Sequence, residues 1–130
     1  REGGVAVFRG VVLLANGGGF ASVRSAQGDY DLARFSGLAL RVRGDGKRYG
    51  LRLRTSTAFD GVTFQATFAT EPGAALELAL PWAAFRPVFR GRPVPGHPPL
   101  DPALVRTFGL IIGERQAGPF RLEIESLAVF

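Results

Sequence analysis

"LALRVRGDGKRYGLRLRT", residues 38–55, decides the fold class. Before the glycine-rich break, Leu38, Leu40 and Val42 alternate with Ala39, Arg41 and Arg43; after it, Leu51 and Leu53 alternate with Arg52 and Arg54. A period of two sends successive side chains to opposite faces of a β-strand, so each half is a strand with one greasy face and one cationic face. "VTFQATFA", residues 62–69, repeats the pattern, with Val62, Phe64, Ala66 and Phe68 opposing Thr63, Gln65 and Thr67.

Loop length then predicts register. A hairpin at "DGKR" closed by Gly44 and Tyr49 sets Arg41 opposite Arg52, and one at "STAFDG" closed by Thr55 and Val62 sets Arg52 opposite Gln65. The expected result is a row of Arg41, Arg52 and Gln65 across three strands, flanked by Arg43 and Arg54. Like charges directly opposite cost a few tenths of a kcal/mol up to about 1. Something must offset this, either acidic partners or an anionic ligand. The last strand offers the acids: in "FRLEIESLAVF" Phe120, Leu122 and Ile124 point one way and Arg121, Glu123 and Glu125 the other.

The same period runs through the rest of the chain, and no stretch of about 11 residues keeps a helical one. Strands are predicted over 5–8, 11–15, 20–25, 38–43, 49–55, 62–69, 75–80, 108–113 and 120–130. They are separated by the turn signals "RG", "NGGG", "GDGK", "FDG", "EPG" and "QAGP". Asp101 before Pro102 predicts a capped single helical turn, and "PWAAF" predicts another. The segment 85–100, "FRPVFRGRPVPGHPPL", is too rich in proline for a central strand and reads as an ordered loop or an edge crossing. About nine short strands predict an all-β, two-sheet antiparallel β-sandwich in a single domain.

Composition narrows the chemistry. The chain has 130 residues, no cysteine, and His97 as its one histidine, which leaves no thiolate or imidazole cluster for zinc and no histidine triad. No apolar run approaches the ~20 residues of a membrane span, so the chain reads as soluble. The formal charge is +5, and Lys47 is the only lysine among 16 Lys+Arg. Arginine suits planar, bidentate recognition of anions.

Individual motifs are weak. "NGGG", residues 16–19, lacks the βαβ context of a dinucleotide loop and the lysine of a P-loop, and reads as a turn with Asn16 and Gly17 at positive φ. Phe20, Ser22 and Arg24 then share a side, with Ala21 and Val23 on the other; if that smaller apolar pair faces the core, Arg24 joins the arginine face. The acid pairs Asp29 and Asp31, or Glu123 and Glu125, show no sign of converging across a sugar cleft. Trp82 and Phe85 after Pro81 are either an aromatic platform for a sugar or a core plug, and beside a strand end they read as the plug. The predicted polar faces carry no aromatic ring, which speaks against nucleic acid and against stacked sugars.

Taken in order, "NGGGFASVRS", "DLARFSGLALRVRGDGKRYGLRLRT", "FQATFAT", "LPWAAFRPVFRGRPV" and "LDPALVRTFGLIIGERQAGPFRLEIESL" resemble the domain of the complex I intermediate-associated protein 30 family, NADH:ubiquinone oxidoreductase assembly factors. The matching positions are Asn16, Gly17, Gly18, Phe20 and Arg24; Arg43, Gly44, Asp45 and Gly46; Gln65, Arg90 and Gly91; and Gln116, Gly118, Pro119 and Phe120. The resemblance implies a galactose-binding-like jelly roll, similar to certain carbohydrate-binding modules. It implies a chaperone-like, assembly-factor role without established catalysis, and no cofactor. Members carry a further strand region upstream, so the resemblance implies a domain over 1–130 that lacks its natural N-terminal segment and leaves the oligomeric state open. A bacterial cytoplasmic location is expected, with secretion left open.

The expectation is therefore a non-enzymatic binding domain. Its polar sheet face, with Arg24, Arg41, Arg43, Arg52, Arg54, Gln65, Arg115 and Gln116 as binding residues, docks a protein or an anionic or polyhydroxyl ligand. A carbohydrate-binding module on the same face is the alternative.

Overall fold

The computed structural model describes residues 6–15, 18–25, 28–55 and 61–130. Among them ten strands form two antiparallel sheets: β1 (Ala6–Val12), β2 (Ala21–Arg24), β3 (Gly37–Arg43), β4 (Arg48–Arg54), β5 (Thr63–Ala69), β6 (Ala75–Pro81), β7 (Arg86–Phe89), β8 (Arg92–Pro93), β9 (Thr107–Ile112) and β10 (Gly118–Val129). The four-stranded sheet runs β1-β10-β3-β6 and the six-stranded sheet β2-β9-β4-β5-β7-β8. The all-β sandwich predicted from periodicity is the observed fold.

The predicted greasy faces supply the core. Leu38, Leu40 and Val42 of β3, Leu51 and Leu53 of β4, Phe64, Ala66 and Phe68 of β5, and Phe120 and Leu122 of β10 are all buried between the sheets. Tyr49, 1% exposed, bridges the two layers by packing its ring against Phe8 of β1, Phe68 of β5 and Phe120 of β10. Phe85 is buried and Trp82 packs against the same core, with its indole N–H donating to the Phe35 carbonyl at 2.7 Å. These two aromatics are a core plug, as read.

Three expectations are corrected. Residues 6–12 form one strand, not two with a turn at "RG". Gly10 sits inside that strand opposite Phe120, where a Cβ would come within 3.1 Å of the Phe120 ring; the glycine makes room for the ring rather than for a turn. The proline-rich segment contributes β7 and β8, a two-residue hairpin at the sheet edge, with Arg90 (φ 51°) and Gly91 (φ 79°) as its tip. Positive φ at both central positions is the type I′ geometry that matches strand twist. The edge crossing expected there is thus partly strand.

The largest correction concerns "GDGK". It does not close a hairpin: β3 pairs with β10 and β6, while β4 pairs with β5 and β9 in the other sheet. The loop carries the chain across the sandwich. Asp45 holds the crossing, its Oδ1 accepting from the Lys47 N–H at 3.1 Å and the Tyr49 hydroxyl at 2.9 Å, and its Oδ2 from the Arg121 N–H at 2.8 Å. Thr70 clamps the other side, accepting from the Gly46 N–H and donating to the Lys47 carbonyl. Gly44 packs so closely on Thr70 that no Cβ fits.

The remaining local signals hold. Asp101 caps a single 3-10 turn, Pro102–Leu104, by accepting from the Ala103 N–H, and a second spans Trp82–Ala84. The described part of the glycine run is a turn between sheets, with Gly19 at φ 106° and its N–H on the Leu13 carbonyl. Asn16, Gly17, Val5 and most of "STAFDG" lie outside the described residues.

Candidate functional site

Assigning β3 and β4 to different sheets divides the predicted arginine row. Arg41 never meets Arg52. On the outer face of the four-stranded sheet Arg41 lies opposite Glu77 of β6 and Ser126 of β10. It is ion-paired with Glu77, and its Nε donates to Glu125 at 2.6 Å. The hydrogen bonds that Arg41 donates, to Glu125 first and then to Glu77, hold its guanidinium pKa above its ordinary value. Arg43 lies 3.9 Å from Glu125 and 4.0 Å from Glu123, and it also donates to the Gly73 carbonyl.

A β-bulge puts Glu125 in reach. Ile124 pairs with Val42 and Ser126 with Arg41, so Glu125 is the extra residue, and the shift returns Leu127 to the inner side opposite Leu40. This half of the expected site is an ion-pair lattice with its charge satisfied.

The other half is a groove on the outer face of the six-stranded sheet. Arg52 lies directly opposite Gln65, as predicted, and its Nε donates to Gln65 Oε1 at 3.0 Å. On its other side it pairs with Gly109, and Gly109 pairs with Arg24. Arg24 therefore joins Arg52 and Gln65, and Arg54 sits one step along β4 beside Thr107. Among the described residues no carboxylate lies within ion-pair distance of Arg24 or Arg52. Burial, reinforced by the Arg54 charge, lowers the Arg52 pKa. The two cationic half-sites thus differ in kind: one is neutralised, and in the other Arg24 and Arg52 have no carboxylate beside them among the described residues, Arg52 on a partly desolvated floor.

Two cavities of about 400 and 470 Å³ open on either side of Arg52. The first lies between Arg24, Arg52 and Arg54 over the buried hydroxyl residues Thr63 and Thr107. The second reaches from Arg52 and Gln65 past Thr67 to the hairpin tip Arg90 and Gly91 and to Phe20 and Arg115. Its floor is Gly50, where a Cβ would meet Ile111 Cγ2 at 2.9 Å and Gln65 Nε2 at 3.0 Å, so the missing side chain lets the Gln65 amide lie across the strand. Beside it, the Arg48 Nε meets Glu114 at 3.1 Å.

The last two expected residues part company. Arg115, at φ 52°, stands on the groove wall with its side chain against Gly19. Gln116 is spent on structure: its amide accepts from the Arg48 N–H and donates to the carbonyls of Arg48 and Gly113, tying the β9–β10 turn to β4.

Phe20 was legible by its phase but its consequence for the face was not, and Arg86, the neighbour of Gln65 on β7, was not legible at all. Phe20 is 60% exposed on the groove wall, which overturns the expectation of a face without aromatics. The signal was its phase, because Phe20 shares a side with Ser22 and Arg24. Arg86 pairs with Gln65 from β7 and was hidden in the proline-rich segment. Among the described residues no group of three His, Cys, Asp or Glu is placed to hold a metal ion, and no helix is long and apolar enough to cross a membrane.

This geometry meets known proteins at two levels. In fold, the chain superposes on the family 11 carbohydrate-binding module of the cellulase Lic26A-Cel5E of Clostridium thermocellum with a TM-score of 0.62 at 13% identity, over 93% of this chain and 82% of the other. The family 11 module from Clostridium thermocellum in complex with a β-1,3-1,4-mixed-linked tetrasaccharide gives 0.59 at 14% identity, over 93% and 83%. Both identify a carbohydrate-binding-module-like jelly roll. In sequence, the chain is 30% identical over 105 residues to the mitochondrial complex I intermediate-associated protein 30 of Mus musculus, a match over 78% of this chain but 32% of the mouse protein. The chain thus spans about a third of that relative's length. The family model for complex I intermediate-associated protein 30 matches residues 1–124, and the chain belongs to that family.

Proposed function

We propose that this chain is a non-catalytic binding domain and that the groove over β2, β9, β4 and β5 takes an anionic, polyhydroxyl ligand. One observation carries the reading. Arg52 stands at the centre of the groove with Gln65 as its only hydrogen-bonded side-chain neighbour among the described residues, while the same residue type on the opposite sheet, Arg41, is saturated by Glu77 and Glu125. A guanidinium kept in a partly desolvated groove without a carboxylate is a site in wait of one. Thr67 and Gln65 add hydroxyl and amide groups, and Phe20 adds a ring face. Neither cavity brings together a nucleophile, a base and a group to orient it, so the chemistry supported is binding.

A second reading is favoured by the mouse relative, whose name associates it with intermediates of complex I. In that reading the groove docks an acidic segment of a protein. The two share one contact chemistry and differ in the ligand backbone.

The test is calorimetric titration of three probes: an acidic oligosaccharide, poly-glutamate and the neutral mixed-linked tetrasaccharide. The double variant Arg52→Ala/Gln65→Ala is expected to lose about tenfold or more in affinity for the acidic sugar, because it removes a charge-assisted contact. The double variant Arg41→Ala/Arg43→Ala is expected to bind as the parent does. Equal losses in both variants, or none in either, would overturn the assignment of the groove. Preference for poly-glutamate would select the protein-docking reading.

A further inference from the structure

Five strands of the six-stranded sheet each place one residue in a single cross-strand row: Arg24 of β2, Gly109 of β9, Arg52 of β4, Gln65 of β5 and Arg86 of β7. Residues directly opposite one another share a face, so the row lies on one side of the sheet; Arg24, Gly109, Arg52 and Gln65 line the two groove cavities, and Arg86 extends the row past them at the β7 edge, where it also borders a cavity with Trp82, Phe85 and His97. Its cationic positions fall on every second strand, and with strands about 4.8 Å apart they recur at ~10 Å. The positions between them are low. At Gly109 a Cβ would stand 2.9 Å from the Val23 carbonyl, and one step along β4 the bare Gly50 carries the flat Gln65 amide.

That pitch discriminates between polyanions. An extended peptide repeats its same-face side chains every ~6.7 Å, out of step with the row. An acidic polysaccharide charged on every ring presents twice as many anions as there are arginines. An extended pyranose chain advances per ring by close to one strand spacing, so a chain charged on alternate rings is in step with Arg24, Arg52 and Arg86.

We propose that this row is a three-subsite platform for a linear polysaccharide carrying a uronate carboxylate on alternate residues, lying across the strands. The uncharged rings rest over Gly109 and Gln65, and the arginines take the carboxylates in the bidentate manner their planar fork allows. Phe20, exposed on the wall of the same groove, offers an apolar face to a ring at the side. This inference rests on the anionic-ligand reading above and specifies its substrate class.

The experiment compares three hexasaccharides by calorimetry: alternating glucuronate and N-acetylglucosamine, contiguous galacturonate, and neutral mixed-linked glucan. The alternating chain is expected to bind tightest, by about tenfold over the contiguous one, whose additional carboxylates over Gly109 and Gln65 meet no cation, the equivalent of one charged group desolvated without a partner. Arg24→Gln and Arg86→Gln are exposed changes that leave the fold intact by circular dichroism, and each is expected to weaken the alternating chain several-fold and to flatten its salt dependence. Arg41→Gln is expected to change neither. Equal or tighter binding of contiguous galacturonate, or an Arg86→Gln variant that binds like the parent, overturns the alternating-uronate assignment while the anionic groove stands. No binding of any acidic sugar, or a glucan that binds as tightly as the acidic chains, overturns the proposed function together with this inference.

Discussion

Arg52 and Arg41 show how one residue type serves two purposes on two faces of one sandwich. Arg41 is exposed and multiply paired, so its charge is already answered and its removal leaves the groove untouched. Arg52 is held where burial and the Arg54 charge both disfavour a cation, and among the described residues Gln65 is the side chain that meets it. A charge in such a place lowers the stability of the empty protein or adds nothing to it. Arg52→Gln is therefore expected to leave the urea midpoint unchanged or slightly raised, within about 1 kcal/mol, while affinity for an acidic ligand falls. A substantial loss of stability would mean that Arg52 is a structural group rather than a binding one. Gly50 supports the same reading from the floor. Gly50→Leu pushes the Gln65 amide out of the plane of the groove, and nuclear magnetic resonance titration is expected to show weakened binding with the fold preserved.

At the scale of elements, the crossing between β3 and β4 carries the most information. Asp45 joins three segments, with a partner as distant as Arg121, 76 residues along the chain. Asp45→Ala strands the buried Tyr49 hydroxyl and removes two further backbone partners, for an expected loss of about 2–3 kcal/mol in denaturant unfolding. A loss under about 1 kcal/mol would show that Thr70 alone holds the crossing. The same loop marks the limit of what the sequence makes legible. Alternation assigns Leu38, Leu40, Val42, Leu51 and Leu53 to inner faces and Arg41, Arg43, Arg52 and Arg54 to outer ones correctly, because burial on one face enforces a period of two. It is silent on which sheet a strand joins: a short glycine loop serves a hairpin and a sheet crossing equally well, and the choice depends on the reach of Asp45 to β10. The Arg52–Gln65 pair was readable and the Arg41–Arg52 pair was not, for this one reason. Arg86 was missed because prolines in and around its strand hide the period, whereas the phase of Phe20 was legible, on the side of Ser22 and Arg24.

For the molecule as a whole, the two sheets meet at Tyr49, and the meeting point titrates. Burial, then the hydrogen bond and negative charge of Asp45, push the Tyr49 phenol above its ordinary value. The sign of the stability effect follows. The folded protein keeps a proton that the unfolded chain releases near pH 10, so the contribution of Tyr49 is complete below that pH and declines as pH rises above it. Unfolding free energy is expected to fall above about pH 10 by up to ~1.4 kcal/mol per pH unit from this group. Tyr49→Phe separates this effect from general alkaline repulsion. At neutral pH the variant loses the bond to Asp45, at a cost of about 1 kcal/mol. Above pH 10 its stability declines less steeply than the parent's, so the two curves converge. Guanidinium unfolding at half-unit steps from pH 8 to about 11.5, spanning the ordinary phenol range, reads both slopes. Parallel curves for parent and variant would show that Tyr49 loses its proton as readily in the sandwich as outside it. Convergence would place the joint between the sheets, rather than the exposed ion pairs on either face, at the origin of the alkaline limit.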